Sequence, residues 1–272
     1  MDIKYKYMQT TNIFKKDLFL GKKILITGAT SGIGYESAKN LSKLGADLIL
    51  TARSSEKLNT IKSSLDARSR VIIVPKDLSE KNAGSLLIKS LPEEWLPLNG
   101  MFHAAGNILL KPLSLSKKED FDNLAQISLH SILNMAQFIS KKKYFANGSS
   151  IILMSSVVSI FGTTGLGYYS AIKSSINSIC NTMAIEFANK GIRVNAILAG
   201  AVETNMHKEI IEKLSKEFIE KYESKHLLGF GKAEDISELV CFLLSPASKW
   251  NTGSSITVVG GYSSFKDIIL WN

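Results

Sequence analysis

The chain has 272 residues, 45 % hydrophobic and 21 % charged, and these ordinary globular proportions exclude a disordered chain, a collagen-like repeat and a coiled coil. A chain of this size buries roughly 73 % of its unfolded surface and needs no disulfide or metal to hold its core. Its 33 Lys and Arg against 24 Asp and Glu leave a net charge of +9, which points to an anionic ligand or surface without identifying it.

Met1 to Leu20 mixes Lys4, Lys6, Lys15, Lys16 and two aspartates with aromatics and lacks the apolar core of a secretion signal. It reads as an N-terminal arm over 1–20, tethered through Phe14, Leu18 and Phe19. Apolar runs then recur at Lys23–Thr27, Asp47–Thr51, Val71–Pro75, Gly100–Ala104, Ser150–Ser155, Ile192–Leu198 and Ser255–Val259. Between them, residues such as Ala38, Leu41 and Leu44, or Ile176, Ile179, Met183 and Phe187, keep helical spacing. Strands alternating with helices predict one α/β domain over 21–272, its seven-stranded parallel sheet covered on both faces. Near the end, Ile210, Ile211, Leu214, Phe218 and Tyr222 share one face of a predicted helical segment. That segment, about 203–226, reads either as an amphipathic substrate lid or as a plain surface helix.

The remaining composition narrows the partners. No stretch has the 18 or so uncharged apolar residues of a membrane helix, so no membrane span is expected. Cys180 and Cys241 make no disulfide framework, which suits a reducing cytoplasm. His103, His130, His207 and His226 are scattered without metal-ligand spacing. The lysines are dispersed and no aromatic-interleaved basic stripe occurs, so nucleic acid is not the expected partner.

The first predicted strand runs into Thr27-Gly28-Ala29-Thr30-Ser31-Gly32-Ile33-Gly34, and a helical pattern follows. A pyrophosphate-binding turn needs unusual backbone angles and a bare backbone for close approach, and glycine supplies both. The following helix N-terminus would add free N–H groups, with Thr30 and Ser31 hydroxyls beside them. On glycine spacing alone a bland tight turn is the alternative. After the second strand comes Arg53, where an arginine can take the 2′-phosphate of NADP. A loop-capping surface arginine would read the same way. Further on, Tyr169 and Lys173 stand four apart on a helical pattern and share a face. Ser155 and Ser156 end an apolar strand at its carboxyl end, the ligand side of such sheets.

Together the Gly-x-x-x-Gly-x-Gly turn, the serine and the Tyr-x-x-x-Lys pair resemble the short-chain dehydrogenase/reductase family over roughly Leu20 to Ser263. The resemblance implies a Rossmann-type doubly wound fold, a nicotinamide cofactor (NADP(H) favoured over NAD(H) because of Arg53) and oxidoreduction at a carbonyl carbon. It places Asp77 and Leu78 by the adenine, Ala105 and Gly106 by the cofactor ribose, and Val202 and Thr204 at the nicotinamide carboxamide. Tyr169 becomes the acid/base, Lys173 lowers its pKa, and Ser156 holds the carbonyl oxygen. Several positions depart from the family pattern, among them Val259, where an Asp is more usual. Ser128 stands where the family has a proton-relay Asn, His103 begins the usual Asn-Asn-Ala-Gly, and Ala199 replaces a Pro. The nearest relatives look like 3-oxoacyl-carrier-protein reductases, so the substrate is a small molecule or an acyl-carrier thioester, and a homodimer or homotetramer is expected. A cofactor-binding but non-catalytic or regulatory protein is the alternative.

Overall fold

The computed structural model describes residues 14–212 and 214–262. Residues 1–13 of the expected arm and the chain's end at 263–272 lie outside the described residues. Seven strands, β1 (Lys23–Thr27), β2 (Asp47–Thr51), β3 (Val71–Ile73), β4 (Leu98–His103), β5 (Phe145–Ser156), β6 (Arg193–Ala199) and β7 (Ser255–Val258), form one sheet in the order β3-β2-β1-β4-β5-β6-β7. Every neighbouring pair is parallel. This is the expected seven-stranded Rossmann-type sheet. β1 and β2 match the expected bounds, while β3 stops at Ile73, β4 runs over Leu98–His103, β5 over Phe145–Ser156 and β6 over Arg193–Ala199, and β7 stops at Val258.

Alternate residues of each strand face opposite layers. Leu25, Met101, Ile151, Leu153 and Val194 pack against α3 (Ala83–Lys89), α5 (Ser131–Ile139) and α6 (Gly167–Phe187). Ile24, Ile26, Phe102, Ile152 and Ile197 pack against α1 (Gly32–Lys43), α2 (Ser55–Ser64) and α9 (Ala233–Leu244). Two buried layers explain why the strands read as continuous apolar runs. Phe19 is 2 % exposed and donates its N–H to the Leu44 oxygen at 2.9 Å, with Phe14 and Leu18 against the same core.

The chain order reverses at β1, which has β2 on one side and β4 on the other. A crevice therefore opens at the carboxyl ends of β1 and β4, the ligand side of doubly wound sheets. Helix α4 (Lys118–Ala125) runs into α5 through a π-helical turn at Gln126–His130, whose flanking residues all keep helical dihedrals. The predicted helical segment at 203–226 is instead two helices, α7 (Asn205–Ile211) and α8 (Lys216–Ser224). The reason is local: Ser215 leaves the helical region and its hydroxyl accepts the Phe218 N–H at 3.2 Å, which caps a new helix. Among the described residues no helix is long and apolar enough to cross a membrane.

Candidate active site

The turn after β1 is shaped by close backbone approach. Gly28 has φ +64°, and a Cβ there would lie 2.9 Å from the Ala105 nitrogen. A Cβ on Gly34 would run into the Gly28 carbonyl oxygen. Only glycine lets the turn fold back beneath α1 at both places. The Thr27 hydroxyl accepts the Ala105 N–H at 3.0 Å and locks β1 to the end of β4. Ser31 makes no capping bond to α1, so Thr30, Ser31 and Ile33 border a helix start whose first N–H groups have no side-chain cap. Gly32 abuts the Thr204 side chain, which brings the loop after β6 over the same turn. Thr204 itself caps α7, its hydroxyl accepting the His207 N–H at 3.3 Å.

Arg53 is exposed at the end of β2 and lies near Asp77, which follows β3. Two Ser79 donors, the backbone N–H at 2.9 Å and the hydroxyl at 2.7 Å, hold the Asp77 carboxyl below its usual pKa, with Arg53 adding to them. Leu78 beside it is buried. These residues fit a dinucleotide: the cradle is one a Cβ would fill, the α1 N-terminus is open, and a cation stands at the end of β2.

The second group sits where β5 meets α6. Ser155 points away from the crevice and donates to the Lys173 carbonyl at 3.0 Å, fastening the strand to the helix. Ser156 donates to the Ala199 oxygen at 3.4 Å and lies beside the Tyr169 phenol. Tyr168 packs edge-on against Phe121 at 5.4 Å. Of the two serines and two tyrosines adjacent in sequence, Ser156 and Tyr169 are thus the pair that meet.

Tyr169 and Lys173 are 9 % and 4 % exposed. Burial pushes the Tyr169 phenol up to about 12, against a smaller downward pull from Ser156. Burial is the largest influence on the phenol in this structure, and it favours the protonated form. Lys173 stands 5.6 Å from the Tyr169 ring centroid and donates to the Met154 oxygen at 2.8 Å, with burial lowering its pKa to about 8.

Ser128 is 1 % exposed in the π-helical turn. A Cβ on Gly106 would lie 3.2 Å from the Ser128 hydroxyl and 3.6 Å from the Lys173 nitrogen, so both groups face the bare side of Gly106. The turn is pinned from β4 by His103, whose Nε2 is 2.8 Å from the Ser131 hydroxyl. Ser131 in turn donates to the Ile127 oxygen, so the imidazole Nε2–H must be the donor to Ser131. Burial, helped by the Lys173 charge, drives His103 down to about 3 and keeps it neutral. His103 thus ties the end of β4 to the start of α5. Sequence reading missed this bridge, because nothing local marks a contact 28 residues away. It also missed Tyr222, which lies close enough to Tyr169 to act on its charge. The Tyr222-His226-Phe230 spacing was the available signal for that aromatic face.

Comparison with known proteins agrees with this geometry. The family described as enoyl-(acyl carrier protein) reductase matches residues 28–263. A tropinone reductase homolog of Arabidopsis thaliana is 30 % identical over 246 residues, covering 89 % of this chain and 92 % of its own length. A 3-oxoacyl-[acyl-carrier-protein] reductase of Thermotoga maritima is 30 % identical over 243 residues, covering 89 % and 97 %. The crystal structure of a Brucella melitensis short-chain dehydrogenase/reductase described as glucose/ribitol dehydrogenase superposes with a TM-score of 0.83 at 26 % identity, covering 91 % and 99 %. With its parallel sheet, its glycine-lined crevice and these relatives, the chain belongs to the short-chain dehydrogenase/reductase family of oxidoreductases.

Proposed function

We propose that this protein is an NADP(H)-dependent carbonyl reductase, a reading carried by the meeting of Ser156, Tyr169 and Lys173 beside the glycine-lined crevice. The bound nicotinamide supplies the hydride. Gly28, Gly32, Gly34 and the start of α1 hold the pyrophosphate, Asp77 and Leu78 border the adenine, Ala105 and Gly106 flank the ribose, and Val202 and Thr204 hold the carboxamide. Ser156 donates to the substrate carbonyl oxygen, and Tyr169 delivers the proton to the forming alkoxide. The buried Lys173 charge stabilises the phenolate left behind. Ser128, against Gly106 and near Lys173, extends the proton path with its hydroxyl in place of the family's amide. Oxidation of NADPH on mixing the protein with a panel of aldehydes and ketones tests the reading, and a panel with no turnover overturns it.

Arg53 favours the phosphorylated cofactor because a guanidinium pairs with a 2′-phosphate through charge-assisted bonds. Arg53→Asp is expected to raise the KM for NADPH about 30-fold or more and leave that for NADH nearly unchanged. An unaltered ratio of the two overturns the assignment.

For the substrate, α7 and α8 serve as a lid, and exposed apolar side chains stand on either side of Tyr169. Leu110 and Leu113 press on Gly165 and Gly167, just before Tyr169, and Ile160 and Phe161 are exposed after Ser156. Phe218 is exposed one turn before Tyr222. These jaws favour a ketone or thioester carrying an apolar body over a polyol. Ile185 on α6 and Trp250 before β7, exposed at 80 % and 97 %, support self-association as a homodimer or homotetramer. The free, buried Cys180 and Cys241 suit a cytoplasmic protein.

A further inference from the structure

Tyr222, His226, Phe230 and Tyr262 take no part in the proton chemistry, yet they join α8 to the floor of the crevice. His226 is 4 % exposed. Its Nδ1 lies 3.0 Å from the Tyr222 carbonyl oxygen, and its Nε2 lies 3.4 Å from the Ala201 nitrogen. A carbonyl only accepts and an amide only donates, so the ring must carry its proton on Nδ1 and keep Nε2 bare. Rings enclose it: Tyr222 at 5.0 Å and Phe230 at 5.3 Å edge-on, and Tyr262 at 4.7 Å tilted by 30°. Beyond it the chain is strapped to the same loop. The Gly231 N–H donates to the Ala201 oxygen at 2.9 Å, and the Glu203 N–H to the Gly231 oxygen at 2.8 Å.

We propose that His226 is a positioning residue whose neutral, Nδ1-protonated ring latches α8 onto the loop at 199–204 and so fixes Tyr222 in place, and that gaining a proton releases the latch. Only its effect on turnover rests on the reductase reading. On protonation, Nε2–H would face the Ala201 N–H, donor against donor, and the bond would be lost. The groups around the ring set where this happens. Glu223 on α8 favours the cation, as does the Tyr222 carbonyl. Against them, burial is the largest influence, and His207 on α7, across Phe230, opposes a second positive charge while feeling Glu203 itself. Burial raises the Tyr222 phenol to about 12, so that ring brings no charge of its own. His226 therefore titrates below its ordinary value, and the latch is closed at neutral pH and opens on acidification.

Nitrogen NMR of the histidine-labelled full chain should show His226 as the Nδ1-protonated neutral tautomer at pH 7.5, and the Nε2-protonated form would overturn the proposal. Amide exchange over 199–204 and 216–231, corrected for the intrinsic pH dependence, should lose about fivefold in protection between pH 8 and pH 5. In His226→Gln, whose side-chain oxygen can accept from Ala201 without titrating, that loss should vanish. The same loss in both proteins would overturn the latch. In turnover, the substrate KM should rise about fivefold on the same acidification in the wild type alone, with kcat unaffected by the substitution. Equal pH dependence in both would remove the link to substrate. The first two measurements need no activity, so the latch and the reductase reading fail separately.

Discussion

Replacing Tyr169 with Phe should lower kcat for NADPH-dependent carbonyl reduction by about 10³-fold and leave NADPH affinity within about threefold of wild type. The ring packs in a cluster with Leu124, Ala125 and Ile172, and Phe keeps that packing, so the fold should be unaffected. What is lost is the phenolic proton beside Ser156, held on the ring because burial pushes its pKa up to about 12. A neutral donor suits reduction, since the forming alkoxide is a stronger base than the phenolate it leaves. Stopped-flow single turnovers and fluorescence titration of NADPH separate chemistry from binding. If Tyr169→Phe keeps more than about a tenth of the wild-type rate, the proton comes from elsewhere and the assignment fails.

Lys173→Met should lower kcat/KM by about 10²-fold or more, and it should also change the shape of the pH profile. Burial lowers Lys173 to about 8, so its charge is present below that value and lost as pH rises through it. Reduction by the wild type should therefore fall on an alkaline limb near pH 8, well before the phenol itself ionises. Lys173→Arg keeps its charge to much higher pH and should move the limb upward, while Lys173→Met should show no limb. A limb near pH 8 that persists in the Met variant would overturn this role for Lys173. Stability should move the opposite way. Holding the ammonium in this surrounding costs about 3 kcal/mol. Removing it also leaves the Met154 oxygen without its donor, which returns about 1 kcal/mol. The net gain should raise the thermal midpoint by a few degrees. Because the folded pKa lies below the ordinary 10.5, the unfolded chain binds the extra proton between about 8 and 10.5. Wild-type stability should thus rise with pH through that window, and Lys173→Met should lose the slope.

How much of this was legible beforehand depended on how local each feature is. Strands buried on both faces are written as apolar runs, and all seven were found, with errors only where a strand end is set by its neighbour, as at Phe145. The glycine turn and the Tyr169–Lys173 pair are short-range patterns, constrained by one turn of backbone or one turn of helix. Sequence spacing already favours Ser156 over Ser155 and Tyr169, with Lys173 four residues on, over Tyr168, and the packing of the neighbours agrees. Ser155 is taken by the Lys173 carbonyl and Tyr168 by Phe121. The segment at 203–226 reads as one amphipathic stretch because its apolar face is continuous in register, whereas a capping serine at 215 divides it into α7 and α8.

The order of strands and helices, the glycine cradle and the tyrosine-lysine pair were settled in the linear chain, because periodicity and near-neighbour chemistry are local properties. How His103 ties β4 to the helix that follows the π-helical turn, how Ser215 divides α7 from α8, and how His226 joins α8 to the loop after β6 appear only on folding. The two histidine bonds join groups far apart in the chain, and their strength comes from burial that no stretch of residues has before the layers close around it.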